Sequence, residues 1–191
     1  MTCPRIESER LVLRPFAESD VDDYTAMLQA EPVRRALHLA DDVGRWDAWS
    51  QMAGWLGQWE LRGTGQWALE EKATGQFVGR TGLHHPERAD WPGVEVGWVL
   101  RPEHWGRGYA TEAARRAVGY AFYELDRDAL CSVILPENTR SVAVARRLGF
   151  HLEEERVLSH LPSVAHGIWW LSRTEWELTR GAGKAGRRPT R

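Results

Sequence analysis

Apolar and polar residues alternate in some segments of the chain and recur with helical spacing in others. Residues 94–99 alternate with the period of a strand, and from Ala110 to Leu125 apolar residues recur every three or four positions, as in an amphipathic helix. The same reading predicts further strands over 6–16, 66–71, 77–84, 129–135, 150–161 and 165–177, and further helices over 21–30, 33–39, 46–61 and 137–148.

This order of elements predicts an α+β fold, with a mixed, largely antiparallel central sheet of about seven strands and helices on both faces. We expect one domain over residues 1–180, because a chain of 191 residues suits a single substantial core. Residues 181–191 are rich in glycine and basic residues and poor in apolar ones, which predicts a disordered basic tail.

The loop Trp105–Ala110, WGRGYA, joins the strand at 94–99 to the long helix that follows. Gly106 and Gly108 allow a tight turn and a close approach of the backbone to a ligand. The first N–H groups of a helix have no intrahelical acceptor and, with the helix dipole, suit a phosphate. Arg107 and Thr111 can add a charge and a hydroxyl. An ordinary Gly-x-Gly turn before a helix has the same pattern, so both interpretations stay open.

Several segments, in the same order, resemble the GCN5-related N-acetyltransferase (GNAT) superfamily, and more narrowly its branch that acetylates ribosomal-protein N-termini. The resemblance covers about residues 5–177 and is carried by ERLVLRPF at 9–16, the strand, loop and helix of 94–125, ENTRS at 137–141, LGF at 148–150 and WWLSRTEW at 169–176. The superfamily's pyrophosphate motif is Arg/Gln-x-x-Gly-x-Gly/Ala. Trp105 takes its first place, Gly108 its fourth and Ala110 its sixth, so this chain departs from the motif at the first place.

The resemblance implies acetyl-CoA as the co-substrate and no metal. In this superfamily the strand before the glycine loop and the next strand run parallel and splay apart, and the pantetheine arm of CoA lies between them. The cofactor contacts carried over in this way fall on Trp98, Val99, Leu100, Arg101, Arg107, Gly108, Tyr109, Ala110, Thr111, Asn138 and Ser141. Asn138 is equally an ordinary helix N-cap, and that role alone would explain it.

Acetyl transfer from a thioester to an amine needs a base for the ammonium, a donor for the developing oxyanion and an acid for the thiolate. Two residues compete as the base. Glu95 lies near the sheet centre, where burial would raise its pKa towards neutrality, and His160 has an imidazole suited to the task. The oxyanion donor is expected to be a backbone N–H near Trp98 or Val99. Ser141 resembles the proton-donating serine of the ribosomal-protein branch, although a serine is also typical of a first helical turn.

The resemblance therefore implies an N-acetyltransferase that moves an acetyl group from acetyl-CoA to a primary amine by direct attack in a ternary complex. The amine is expected to be a protein N-terminus or a small molecule. An antibiotic- or polyamine-modifying acetyltransferase is one alternative, and a non-catalytic acyl-CoA-binding sensor is another.

Composition adds limits to this interpretation. The formal net charge of −2 does not indicate a nucleic-acid partner, and the chain without the four basic residues of 181–191 carries −6, which suits a cationic amine or simple solubility equally. The two cysteines lack metal-site spacing, and there is no signal segment or membrane-length apolar run, so we expect a cytoplasmic protein without a membrane partner. Sheet edges can pair between copies, which makes a homodimer a candidate assembly.

Overall fold

A single eight-stranded sheet forms the centre of the computed structural model, which describes residues 2–185. The strands are β1 (Ile6–Glu7), β2 (Leu11–Arg14), β3 (Gln66–Glu71), β4 (Phe77–His84), β5 (Glu95–Leu100), β6 (Ala129–Ile134), β7 (His151–Leu158) and β8 (Leu161–Ser172). Their order across the sheet is β1-β2-β3-β4-β5-β6-β8-β7. The β5–β6 pair is parallel and every other neighbouring pair is antiparallel, which confirms the predicted α+β class.

Helices cover both faces of this sheet. They are α1 (Val21–Gln29), α2 (Glu31–Ala36), α3 (Arg45–Arg62), α4 (Tyr109–Tyr123), α5 (Thr139–Leu148) and α6 (Arg173–Ala185). The apolar stripe of α4 that the sequence pattern predicts is buried against the sheet, from Ala113 to Phe122. In the part of the chain that the structure describes, no helix is both long enough and apolar enough to cross a membrane.

Two apolar cores result, one on each side of the sheet. Strand β5 contributes to both, because alternate side chains point to opposite faces. Val96 is fully buried in the core beneath α4, whereas Val99 packs against the core beneath α1 and α3. Aromatic rings fill that second core, with Phe16, Tyr24 and Trp55 centred 5.4–5.6 Å from one another. Glu95 and Gly97 share the face of Val99, so the residues that carry polar chemistry lie beside this aromatic core.

The first predicted strand, over 6–16, is instead a two-stranded hairpin. Ser8 closes the turn, since its N–H donates to the Leu11 carbonyl (2.9 Å) and its hydroxyl accepts from the Leu11 N–H (3.0 Å). The two arms then pair antiparallel, with Ile6 opposite Leu13. The sheet therefore has eight strands rather than about seven, because a serine that bonds its own backbone favours a turn over a continuous strand.

The closing strand also begins four residues and ends five residues earlier than predicted, because β8 ends at Ser172 and α6 follows at once. Ser172 and Glu175 explain the change: the Glu175 carboxylate accepts from the N–H (2.8 Å) and the hydroxyl (2.6 Å) of Ser172, an arrangement that starts helices. Helix α6 reaches Ala185, five residues into the segment predicted to be a disordered tail, since a helix extends more easily than it begins. The rest of that prediction, for residues 186–191, lies outside the described residues.

Candidate active site

Strands β5 and β6 stay paired over only one residue of each. Glu95 lies opposite Cys131, and the Cys131 N–H donates to the Val94 carbonyl at 2.9 Å. Beyond this pair the two strands separate towards their carboxyl ends. The splayed parallel pair that the resemblance implies is therefore present in the sheet.

Side chains replace the missing main-chain hydrogen bonds where the strands separate. A continued parallel ladder would join the Val133 N–H to the Val96 carbonyl, and the Trp98 N–H to the Val133 carbonyl. Instead the Val133 N–H donates to the Glu95 carboxylate (3.3 Å), and the Ser132 hydroxyl donates to the Val96 carbonyl (3.0 Å). The N–H of Trp98 is thereby left facing the gap between the strands, where a ligand oxygen can accept from it.

A cavity of about 1580 Å³ opens at this gap and divides into two halves. We call one the cofactor half; it is lined by the end of β5, the glycine loop, helices α4 and α5, and the turn between β1 and β2 with Glu7 and Glu9. We call the other the acceptor half; it is lined by α2 and α3, parts of β3 and β4, the start of β5 with Glu95 and Gly97, the loop at 85–94 and the turn between β7 and β8. The residues predicted from the sequence that line the cavity are Glu95, Trp98, Val99, Leu100, Gly108, Tyr109, Ala110, Thr111, Asn138, Ser141 and His160.

The glycine loop has the backbone conformation that its sequence predicts. Gly106 and Gly108 have φ of +75° and +82°, in the left-handed region that favours glycine. Gly108 is the N-cap of α4, and its carbonyl accepts the N–H of Glu112 at 3.1 Å. The N–H groups of Tyr109, Ala110 and Thr111 precede that first helical bond and belong to residues that line the cavity, so they can bind an anion.

Arg107 and Arg101, two predicted cofactor contacts, do not line the cavity. Arg107 bonds the Glu71 carboxylate (2.8 Å) and covers the Tyr109 ring, and the Tyr109 hydroxyl bonds the same carboxylate. Arg101 pairs with Asp23 at 2.9 Å. A buried carboxylate needs a nearby cation, and Glu71 recruits Arg107 for that purpose. Arg107 therefore fixes the glycine loop from behind, which the sequence pattern could not distinguish from binding a phosphate.

Four other arginines bring positive charge to the cofactor half. They lie on α4 and α5 and line the cavity: Arg115, Arg116, Arg140 and Arg147. The Arg140 guanidinium stacks over the Trp105 ring at 4.6 Å, and the Trp105 indole N–H donates to the Leu100 carbonyl at 2.9 Å. Trp105 thus ties the glycine loop to the end of β5. The sequence analysis missed these arginines because each lies in a helical segment where a basic residue normally indicates a solvated face.

Asn138 and Ser141 lie at the start of α5, next to the gap between the strands. The Asn138 side-chain oxygen accepts the N–H of Ser141 at 3.1 Å, which is the helix N-cap bond. Both residues line the cavity, so the cap and a contact with a ligand are compatible. The Ser141 hydroxyl makes no hydrogen bond with any residue of 2–179, so it can donate to a bound group.

Glu95 has the most strongly perturbed carboxyl group in the cavity. The residue is partly accessible from the cavity, but protein atoms surround its carboxylate closely. Burial raises the pKa of Glu95 to about 7, against the lowering effects of the Val133 N–H bond and the positive charge of Arg80. A carboxylate with a pKa near neutrality can accept a proton from an ammonium at physiological pH.

His160, the other candidate base, lies in the turn between β7 and β8 and lines the acceptor half. Its ring centre is 5.0 Å from that of Trp91. Burial and the nearby charge of Arg88 lower the pKa of His160 below its usual value, so the imidazole is neutral at pH 7. The structure brings Glu95 and His160 into one cavity, and geometry alone leaves both available as bases.

His84 and Arg80 are further cavity residues that the sequence analysis did not select. His84 lies directly opposite Glu95 in the β4–β5 register, and burial, with Arg80 and Arg88 nearby, lowers the pKa of His84 to about 4. Arg80 lies opposite Val99 on the same face. The signal that could have found them is the alternation of β4 itself, which places residues 80, 82 and 84 on the face of Glu95.

Within the described range, no group of three or more histidine, cysteine, aspartate or glutamate side chains is arranged to hold a metal ion. Cys3 and Cys131 are both unpaired thiols, and burial raises the pKa of each.

Fold and site together define an acyltransferase class, and comparison with known proteins identifies the family. Residues 10–151 match the family model described as the acetyltransferase (GNAT) domain. The chain belongs to the GNAT acetyltransferase family.

Individual relatives agree with this assignment. A crystal structure of an acetyltransferase from Agrobacterium tumefaciens strain C58 is 31% identical, with a TM-score of 0.79 over 91% of this chain and 96% of that one. The Bacillus subtilis protein YkkB is 36% identical over 89 residues, which are 47% of this chain, so the match spans about half (52%) of that relative's length. Mycobacterium smegmatis RimJ in complex with CoA-disulfide has a TM-score of 0.72 over 91% of this chain and 89% of its own, at 17% identity. Structures named as ribosomal-protein acetyltransferases are also among the structural neighbours, at 16–21% identity, which shows a shared fold.

Proposed function

We propose that this protein is an acetyl-CoA-dependent N-acetyltransferase that acetylates a primary amine, on a protein N-terminus or a small molecule, by direct attack in a ternary complex. The observation that carries the proposal is the gap between β5 and β6. It joins an unpaired Trp98 N–H, a carboxyl group with a pKa near 7 and a helix N-terminus within one cavity. Family membership supports acetyl transfer to an amine as the general reaction.

The cofactor half fits the chemistry of CoA. The N–H groups at the start of α4 suit a pyrophosphate, and Arg115, Arg116, Arg140 and Arg147 suit the additional phosphate of a nucleotide. The main-chain groups that β6 leaves unpaired along β5 suit the amides of an extended arm, which can bind as a substitute strand. CoA in the RimJ structure supports this use of the fold.

Acetyl-CoA supplies the acetyl group as a thioester, and the protein supplies the proton transfers and the positioning. We propose that Glu95 accepts the proton of the incoming ammonium, with His160 as the alternative base. The Trp98 N–H donates to the carbonyl oxygen where negative charge develops, a contribution typically of ~3 kcal/mol. Ser141 donates a proton to the leaving sulfur. The amine reaches the carbonyl carbon from the acceptor half, so both substrates occupy the cavity together.

A non-catalytic acyl-CoA sensor would need the cofactor half but not a base. The carboxyl group of Glu95 costs stability when it ionises in this position, whereas a glutamine oxygen could accept the same Val133 N–H without that cost, so the carboxyl group itself suits a base. The presence of Glu95 in the acceptor half therefore favours an enzyme. The two free cysteines are compatible with the reducing cytosol, which we propose as the location.

Thiol release from acetyl-CoA, measured with a panel of primary amines and short peptides, tests the proposal. An enzyme gives release that depends on the amine, together with an acetylated product detected by mass. Binding of acetyl-CoA without amine-dependent release, across peptides and small amines of every charge type, would contradict the proposal and leave the sensor.

A further inference from the structure

The acceptor half of the cavity carries positive charge and hydrogen-bond donors rather than carboxylates. Among the described residues that line it, Glu95 is the only carboxylate, whereas Arg80 and Arg88 both line it. Asp90 lies close by, but its carboxylate accepts the N–H of Ser159 at 2.6 Å and does not line the cavity. A site for a polycationic amine would require several carboxylates, so this surface is unsuited to one.

Arg80 is a half-buried cation whose hydrogen-bond partners are neutral, although its charge acts on the nearby carboxyl group of Glu95. Its guanidinium bonds the Tyr24 hydroxyl (3.2 Å) and the Gln66 side-chain oxygen (3.0 Å), and it lies 4.7 Å from the Trp55 ring centre. It makes no ion pair with any residue of 2–185. Arg14, on the same sheet, shows the usual solution: it pairs with both Asp20 and Glu70 at 2.7 Å. No carboxylate bonds the Arg80 guanidinium directly, and burying a cation without such a partner is costly, so a bound anion would stabilise it.

Arg88 and two histidines extend this donor-rich surface towards the cavity mouth. Arg88 is exposed on the loop at 85–94 and has no acidic partner in the described chain. His84 Nδ1, Trp91 Nε1 and His160 Nδ1 are buried polar atoms without hydrogen-bond partners in this part of the protein. Buried polar atoms are normally paired, so a cluster of three unpaired ones beside the cavity indicates a wall that a ligand or its bound water completes.

The cavity floor between Glu95 and Arg80 has room for a ligand. Gly97 lies between Glu95 and Val99 on β5, and Arg80 is opposite Val99. A Cβ at Gly97 would meet only the Gln66 side-chain nitrogen, at 3.7 Å, so a small group fits above it. Glu95 at one end suits an ammonium and Arg80 at the other suits an anion. Val99, which lies opposite Arg80, is four residues along β5 from Glu95, about 13 Å of strand.

From these contacts we infer that the acceptor is a small primary amine that also carries an anionic group, a carboxylate or a phosphate, bound by Arg80 and Arg88 while its amine faces Glu95. The inference rests on the proposed N-acetyltransferase function and specifies its substrate class. Arginine suits both anions, because its planar guanidinium donates two parallel hydrogen bonds to carboxylate or phosphate oxygens.

Matched pairs of amines test the inference. The carboxylate pair is 4-aminobutyrate and its methyl ester, the phosphate pair is O-phosphoethanolamine and ethanolamine, and spermidine represents polycations. Rates are compared per unprotonated amine. In at least one pair, the anionic member is expected to exceed its neutral partner by about tenfold or more in kcat/KM. The pair that responds distinguishes carboxylate from phosphate.

Arginine variants then test whether Arg80 and Arg88 cause the preference for anionic amines. Arg88→Gln, and Arg80→Lys as a milder change that keeps the charge, should raise KM for the anionic amine and reduce the preference, with about a tenfold loss for Arg88→Gln. The KM for acetyl-CoA should stay unchanged, and the KM for the neutral amine should change by less than that for the anionic amine. Arg35→Gln is the matched control, because Arg35 is an exposed arginine of α2 that does not line the cavity.

The outcomes separate this inference from the proposed function. Acetylation of neutral amines, peptides or spermidine as efficiently as of the anionic amines would overturn the inference and leave the N-acetyltransferase intact. An anion preference that survives both arginine variants would overturn the assigned binding site. Failure to acetylate any amine, despite acetyl-CoA binding, would contradict the proposed function itself and the inference with it.

Discussion

At the scale of single residues, Glu95 links the separation of strands β5 and β6 to the proton transfer that we propose. It occupies the last position at which β5 and β6 still pair, and its carboxylate replaces a lost main-chain acceptor for Val133. The same placement encloses the carboxylate and raises its pKa to about 7. One residue therefore completes the splayed strands and is also the base that we propose.

The two candidate bases differ in what their removal should do. If Glu95 is the base, Glu95→Gln should lower kcat by ~10² or more and remove the rise of rate with pH through about 7, because the amide cannot accept the proton. His160→Ala should then mainly raise the KM of the amine. If the pH profile and kcat respond to His160→Ala and not to Glu95→Gln, the assignment is reversed. Two fully active variants would exclude both residues as bases.

The raised pKa of Glu95 also affects stability. A carboxyl group whose pKa is higher in the folded state favours folding at low pH, and this contribution is lost as pH rises through about 7. Glu95→Gln should therefore stabilise the protein relative to wild type at pH 8 more than at pH 5. We expect a difference of about 2 kcal/mol, less than the full shift because the carboxyl group is partly accessible. Denaturant unfolding at the two pH values measures it, and an equal effect at both would contradict the enclosed carboxylate.

At the scale of elements, the glycine loop depends on two positive φ angles and on its contacts behind the cavity. Gly108→Ala should weaken acetyl-CoA binding by about tenfold or more, because an L residue at φ +82° strains the turn that presents the first N–H groups of α4. Calorimetric titration with acetyl-CoA gives the affinity. Gly119→Ala is the control in the same helix, since its added methyl meets no neighbouring atom. It should leave binding unchanged and stabilise the helix by up to about 1 kcal/mol. Undiminished binding in folded Gly108→Ala would contradict the anion site.

Several elements could be predicted from the sequence because their signals are local. The α4 stripe, the Gly108 turn and the Asn138 cap each follow from residues within a few positions of one another. The hairpin at Ser8 and the start of α6 at Ser172 also carry local signals, which the strand patterns around them concealed. Interactions across the sheet could not be predicted in this way.

Arg107 illustrates that limit at the candidate site. Its position in the loop suggests a phosphate contact, yet Glu71, 36 residues away, determines where its side chain goes. Arg80 is the opposite case. No sequence motif near it indicates a role in the site, and only the β4–β5 register brings it beside Val99 on the face of Glu95. In both cases, contacts between residues far apart in sequence determine what the arginine side chain does.

At the scale of the whole molecule, charge is distributed in a way that net charge does not reveal. The chain is slightly acidic overall, with a formal charge of −2, while both halves of the cavity are lined by arginines. Negative CoA and an anionic amine would both be attracted to the cavity, an effect that salt should weaken. An acidic body is therefore no indication of a cationic substrate here.

The sheet edges bear on assembly. Strand β7 is an edge strand and exposes Glu153, Glu154 and Glu155 in succession. Pairing two copies of β7 antiparallel would bring these carboxylates together, which disfavours a dimer through this edge. We expect the protein to sediment as a monomer at low ionic strength. A dimer under those conditions, retained when the three glutamates are replaced by lysine, would show that a homodimer forms through another surface.

Direct transfer of the acetyl group is the central claim, and intact mass measurement of protein and products tests it most directly. The protein is incubated with acetyl-CoA alone, and a primary amine that supports thiol release is added afterwards. The account predicts an unmodified protein mass in the first step, and acetylated amine and free CoA in equal amounts after the second. A protein that gains one acetyl group from acetyl-CoA and passes it on to the amine would contradict direct attack in a ternary complex.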